Sequence, residues 1–266
     1  MQRLFKTLSM LAFALVFMAG TAFGQNNSST IDQVGNGHAA MITQTGDQNS
    51  SELAQDIGKG PAQSNYDGHA TVTQTGDRNT SKLTQNTFYG GHDATITQVG
   101  NDNYSEIVTS NGGGSADVTM NGDENELLSY RLDKDFSYHT QKNDNQFTLG
   151  ITGNSNTVGM NQEFGDGTVD ITGDRNDVLL RQHGGGANFN QALYDQATIT
   201  VDGSDNTIDV NQDGGDGARG LNNTATVELL NASSFNTVEV DQAGDYHTST
   251  ITVDGMNNQA IVDQQQ

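Results

Sequence analysis

Short runs in which apolar and polar residues alternate fill the chain from about residue 40 to its end, and each pair of runs is separated by a tetrad of the form Gly-x-x-Asn. Alternation with a period of two marks strands buried on one face. Each tetrad is therefore expected to join two strands. Its first position falls at Gly46, Gly76, Gly100, Gly122, Gly153, Gly173, Gly203, Ser233 and Gly255. Its asparagine falls at Asn49, Asn79, Asn103, Asn125, Asn156, Asn176, Asn206, Asn236 and Asn258. Four residues before the glycine position stand Ile42, Val72, Ile96, Val118, Leu149, Val169, Ile199, Leu229 and Ile251. Seven residues after it stand Leu53, Leu83, Ile107, Ser129, Met160, Leu180, Val210, Val240 and Val262.

Residues two apart share a face of a strand, and the neighbours of these aliphatic residues are mostly glutamine. Gln44, Gln74 and Gln98 precede the tetrad; from Gly122 onward Met120, Ile151, Ile171, Val201, Asn231 and Val253 take that place. Gln55, Gln85, Gln162, Gln182, Gln212, Gln242 and Gln264 follow it, with Thr109 and Arg131 as the two replacements. Glycine, aspartate and asparagine tolerate positive φ, so the tetrad predicts a tight arc. The distance between arcs is 30, 24, 22, 31, 20, 30, 30 and 22 residues, and the surplus falls after the second strand. One side of the molecule is therefore expected to be uniform and the other to carry loops, the longest at 133–144 and 183–195.

One strand-arc-strand unit cannot bury its own apolar residues, whereas stacked copies can. The expected fold is all-β: a two-sheet parallel β-solenoid of about nine repeats, roughly 43 Å tall at a strand spacing of ~4.8 Å. Stacking also aligns identical amides, so Asn and Gln can hydrogen-bond along their own files rather than be buried unpaired.

Ahead of the repeats, residues 1–24 read as a secretory signal. Arg3 and Lys6 form a positive start, Leu8 to Met18 an apolar stretch, and Gly20, Ala22 and Gly24 a small-residue close. The apolar stretch is too short for a bilayer, which needs about 20 residues. Residues 25–266 are then the exported repeat domain, and losing Arg3 and Lys6 takes the net charge from −22 to −24. So acidic a chain opposes binding to nucleic acid or anionic lipid. It has no cysteine, which excludes disulfides and thiolate chemistry, and its 32% hydrophobic content is low enough to border on the disordered class unless the repeat concentrates those residues.

The N-terminal repeats are contiguous: Gln33-x-Gly35-x-Gly37-His38-x-Ala40-x-x-x-Gln44 runs into Gln44-x-Gly46-x-Gln48-Asn49-x-Ser51-x-x-x-Gln55. Gln74, Gly76, Asn79, Ser81 and Gln85 continue the pattern, as do Gln98, Gly100, Asn103 and Ser105. This resembles the curlin repeat of curli fibre subunits, the bacterial functional amyloids. The resemblance implies a secreted subunit that polymerises with itself, end to end, into extracellular cross-β fibres serving biofilm matrix and adhesion. It also implies a nucleator or major subunit as partner and an outer-membrane secretion channel. The working residues would be the Gln and Asn files named above, with the arc glycines.

Other chemistries find weaker support. Gly214 to Arg219 imitates a calcium-binding nonapeptide but puts Arg219 where an aspartate belongs. Thr71-x-Thr73, Thr95-x-Thr97, Thr198-x-Thr200 and Thr250-x-Thr252 suggest an ice-binding array, interrupted at Asp117, Gly150, Asp170 and Glu228. A monomeric surface protein of either kind is the alternative function. The histidines fall at different phases of the repeat and no acidic pair stands out among 33 carboxylates, so neither an enzyme nor a cofactor is expected. Glu52, Glu106, Asp209, Glu239, Asp241 and Asp263 are expected as an outward file of carboxylates whose mutual repulsion slows assembly at neutral pH.

Overall fold

The computed structural model describes residues 26–35, 37–57, 68–87, 93–110, 114–133, 145–162, 166–183, 196–213, 223–244 and 246–265. The proposed signal, the calcium-like segment 214–219, and the interiors of the long loops at 134–144 and 184–195 lie outside the described residues. Ten strands form one sheet: β1 (Ser28–Val34), β3 (Ser50–Ile57), β5 (Thr80–Thr87), β7 (Tyr104–Ser110), β9 (Glu126–Asp133), β11 (Thr157–Gln162), β13 (Asp177–His183), β15 (Thr207–Asp213), β17 (Thr237–Ala243) and β19 (Gln259–Gln265). Nine form the other: β2 (Ala39–Thr45), β4 (His69–Thr75), β6 (Asp93–Val99), β8 (Gly114–Asn121), β10 (Asn145–Thr152), β12 (Thr168–Thr172), β14 (Gln196–Ser204), β16 (Thr224–Ser234) and β18 (Thr248–Met256). Successive strands alternate between sheets, and each pairs in parallel with the strand two further along. This is the two-sheet parallel solenoid the repeat predicts.

Few apolar residues suffice because register stacks them. The second-strand file runs Leu53, Leu83, Ile107, Ser129, Met160, Leu180, Val210, Val240, Val262 without a slip. The first-strand file runs Ile42, Val72, Ile96, Val118, Leu149, Val169, Ile199, and then Val227 and Ile251. Leu83, Ile96, Ile107, Val118, Val169 and Val210 are fully buried between the sheets.

The structure corrects the sequence reading at four places. In β16 the residue aligned with Ile199 is Val227, not Leu229, and Leu229 replaces Asn231 opposite Val201 and Val253. A bulge absorbs the extra residues, with Asn231 and Ala232 at φ 60° and 56°, so the polar Asn231 stays exposed while the file remains aliphatic. In β9 the residue opposite Thr109 and Gln162 is Leu132, not Arg131. A one-residue bulge shifts the register there.

Thirdly, an additional half coil precedes the first repeat: β1 pairs with β3 along its length, so Gln33 belongs to the Gln55 file rather than the Gln44 file. Lastly, the outward carboxylates do not form one file. Lys82 stands between Glu52 and Glu106, while Asp209 and Glu239 are neighbours, as are Asp241 and Asp263.

Candidate functional site

Each arc turns on two positive-φ positions. The first is the tetrad glycine, at +105° in Gly46 and +133° in Gly122; the second is the third residue, near +58° in Gln48, Arg78 and Asp102. Glycine is required at the first for a further reason. A Cβ on Gly46, Gly76, Gly100, Gly122, Gly153, Gly173 or Gly203 would lie 1.7–2.1 Å from the carbonyl oxygen of the next coil's first tetrad residue. Gly35 and Gly255 also have positive φ, at +124° and +112°. Only Ser233 departs, behind the β16 bulge.

The close approach of the arcs places the tetrad asparagines on one line. Asn79 donates from its backbone N and its Nδ2 to Asn49 Oδ1, at 2.9 and 3.1 Å, and its Nδ2 also reaches the Gly100 carbonyl at 2.7 Å. The same arrangement repeats through Asn103, Asn125, Asn156, Asn176, Asn206 and Asn236. Asn258 closes the line, its backbone N donating to Asn236 Oδ1 at 2.8 Å. From Asn49 to Asn236 the side chains are buried. Their polar groups are satisfied along the file, so the cost of burying an unpaired amide does not arise.

The line starts one coil earlier than the repeat reading placed it. Asn27 Oδ1 accepts from Asn49 N at 2.8 Å, and Asn27 Nδ2 donates to the Gly46 carbonyl at 2.8 Å. The signal was present in the sequence: Gly24, Asn27, Ile31 and Gln33 repeat the spacing of Gly46, Asn49, Leu53 and Gln55. A second file, also unread, lies at the tetrad's second position. Asp47 N donates to Asp77 Oδ1, Asp77 N to Asn101 Oδ1, Asn101 N to Asp123 Oδ1, Asp123 N to Asn154 Oδ1 and Asn154 N to Asp174 Oδ1.

The glutamines form two files that seal the two edges of the core. In the ten-stranded sheet Gln33, Gln55 and Gln85 are linked Nε2 to Oε1 at 2.7 Å, and Gln182, Gln212, Gln242 and Gln264 at 2.8–2.9 Å. Gln162 holds its register position opposite Gln182. In the nine-stranded sheet Gln44, Gln74 and Gln98 are linked at 2.8 Å, and Gln98 then meets Met120 Sδ at 3.9 Å. Each file also reaches across the core. Gln74 Nε2 donates to the Ser50 carbonyl and Gln55 Nε2 to the Gly68 carbonyl, both at 3.1 Å.

Outside, ion pairs bridge successive coils. Arg78 binds both carboxylate oxygens of Asp102, as Arg175 does those of Asp205. By hydrogen bonding first, and by charge, each guanidinium holds its carboxylate partner below the usual carboxylate range. Arg181 takes both oxygens of Asp209, which offsets the repulsion from Glu239.

The family model of the curlin associated repeat matches residues 24–56 and 236–265. No curated protein and no solved structure matches the chain. Both matched regions are end coils of the described column, and both advance by 22 residues, from Ser28 to Ser50 and from Thr237 to Gln259. Each also carries a Gly-x-x-His tetrad between its strands, Gly35 to His38 between β1 and β2 and Gly244 to His247 between β17 and β18. The matches contain Asn49, Asn236 and Asn258, whose file runs unbroken through the coils between them, and Gln55 and Gln264, whose file Thr109 and Leu132 interrupt. The two ends of the described column thus carry the curlin associated repeat.

Proposed function

We propose that this chain is a secreted, curli-like fibre subunit: residues 1–24 direct export, and residues 25–266 assemble with themselves outside the cell into cross-β fibres for matrix and adhesion. One observation carries the reading. The Asn file and the two sheets run from end to end of the described column and stop at strands whose outer edge no other described strand pairs, β1 and β2 at one end and β18 and β19 at the other. Monomeric β proteins ordinarily block such edges. Asn258 and Gln264 instead present to the last edge the same amides that template every inner coil. A nucleator or major subunit, and an outer-membrane channel for export, are the partners this function calls for.

The alternative of a monomeric ice-binding or calcium-binding surface protein has less support. Thr71 and Thr95 stack in register, but Asp117 follows them, and the neighbouring file of Thr73, Thr97 and Thr119 runs on into Gly150 and Asp170. An ice-binding plane needs both files unbroken.

Incubating purified residues 25–266 tests the proposal. Fibres with a meridional reflection near 4.7–4.8 Å are the expected result. A monomer that stays in solution at all concentrations, or that depresses freezing without assembling, would overturn it.

A further inference from the structure

The two ends of the described column do not fit one another as they stand. The ten-stranded sheet starts at β1 and finishes at β19, whereas the nine-stranded sheet starts at β2 and finishes at β18. Strands climb the column by alternating between sheets. A second copy seated with its β1 on β19 would therefore hold its β2 two strand spacings above β18, about 9.6 Å instead of ~4.8 Å. The β18 edge would face an empty strand site, its amides and carbonyls unpaired. In that register Asp32 of the second copy would also stand directly against Asp263, a destabilising like-charge pair.

Both difficulties disappear if β1 leaves. β2 of the second copy then meets β18 and β3 meets β19, closing both sheets at once. The register places Ile42 on Ile251, Leu53 on Val262, Asn49 on Asn258 and Gln55 on Gln264, and it puts Ala54 rather than Asp32 opposite Asp263.

Nothing is lost at the β3 edge by the exchange. What β1 supplies there is Asn27 Oδ1 for the Asn49 amide and Gln33 Nε2 for Gln55 Oε1, and Asn258 and Gln264 occupy the same positions of the repeat at the far end. The arc is ready as well. A Cβ on every inner arc glycine would strike the next coil, but at Gly255 the nearest neighbour is Asn258 Nδ2 at 3.6 Å. The space that the next coil's carbonyl occupies elsewhere is open, and Gly46 of a second copy fits it.

We infer that β1 is a displaceable plug: it occupies the β3 edge in the monomer, and the β18–β19 end of a second copy replaces it in the assembly. The inference rests on the fibre-subunit function proposed above and adds the partner surface and the strand that guards it.

A reversible lock on β1 tests it. Thr30 and Glu52 are directly opposed and exposed, and the chain has no cysteine of its own, so Thr30→Cys with Glu52→Cys ties β1 to β3 on oxidation. Every junction consumes one freed β3 edge. Oxidised monomer should therefore fail to extend wild-type seeds beyond a single addition, and a small fraction of it should cap the β2–β3 end of wild-type fibres so that wild-type monomer grows only from the β18–β19 end; reduction should restore both. A second pair, Ser28→Cys with Ser50→Cys, repeats the lock at another register position. Thr71→Cys with Thr95→Cys ties β4 to β6 inside the column and should leave growth unchanged. Oxidised β1-locked monomer that grows as fast as its reduced form would overturn the plug while leaving the subunit function intact. Wild-type monomer that forms no fibres would overturn the function, and the plug with it.

Discussion

Asn125 and Asn156 are joined twice: Asn125 Oδ1 accepts the backbone N of Asn156 at 3.1 Å and its Nδ2 at 3.0 Å. Asn125 Nδ2 meanwhile donates to the Gly153 carbonyl at 2.8 Å. One side chain thus satisfies three buried groups of the following coil. In Asn125→Ala the Asn156 backbone N and the Gly153 carbonyl lose this partner, and Asn156 Nδ2 keeps only the Gly173 carbonyl. Each unsatisfied buried group costs about 1–3 kcal/mol, so the variant is expected to lose several kcal/mol in urea unfolding. Asn258→Ala, at the exposed end of the same file, should lose much less in the monomer yet slow assembly.

The arc glycines separate strain from collision. Gly122→Ala would set a Cβ 1.8 Å from the Gly153 carbonyl oxygen on a backbone at φ +133°, and the coils would have to part. A loss of about 4 kcal/mol or more is expected, in the range that single changes reach only when they break such a constraint. Gly255→Ala has the strained φ of +112° without the collision. Its monomer should therefore melt closer to wild type than that of Gly122→Ala, while its extension of seeds should fail, because the methyl group fills the space meant for the next copy's arc.

Most of the column was legible in the sequence because its files depend on spacing alone. Leu53 to Val262 could be counted off residue by residue, and the structure keeps every member in place. The departures occur where a side chain overrules the count. Leu229 sits at the expected distance from Ser233, but burying Asn231 two residues later would cost more than a bulge, so the chain shifts Val227 and Leu229 into the core files. In β9 a register shift likewise moves Leu132 to the place the count gave Arg131. Charge pairing across coils was harder to read. Glu52 and Glu106 look like neighbours in a list of acids, and only the register shows Lys82 between them. Asn27 was passed over because the residues before Gly24 read as an export signal and do not alternate, so the tetrad there lacks the pattern that identifies the others.

Replacing a glutamine by glutamate should turn the core edge into a pH sensor. Gln55 is buried, accepting from Gln33 and donating to Gln85 and to the Gly68 carbonyl. In Gln55→Glu a protonated carboxyl keeps the shape and one donor, whereas an ionised one is desolvated and faces Gln85 Oε1, an acceptor. Burial raises the folded-state carboxyl pKa above its unfolded value of about 4.3. The sign follows: Gln55→Glu should be nearly as stable as wild type below that value and lose stability as pH rises through the raised one. Unfolding midpoints of the two proteins should converge in acid and separate towards neutrality; a constant gap would contradict this.

Charge should act on the wild-type protein in two separable ways. Asp102 and Asp205 titrate below the usual range because Arg78 and Arg175 hold them. A lowered folded-state pKa means that their contribution is complete above the unfolded value of about 3.9 and is lost only as pH falls through the lowered one. The unfolding midpoint of the monomer should therefore stay level down to about pH 4 and fall below it. Assembly responds to a different set of charges. Two copies of so acidic a chain repel, and the pairs Asp209 with Glu239 and Asp241 with Asp263 lie beside the end that must dock. Adding salt shortens the ~10 Å screening length at 0.1 M and weakens that repulsion. Lag times should therefore shorten as salt is raised at pH 7, and Asp263→Asn should reproduce part of the acceleration. Lag times indifferent to salt and to this substitution alike would show that charge does not control the docking step.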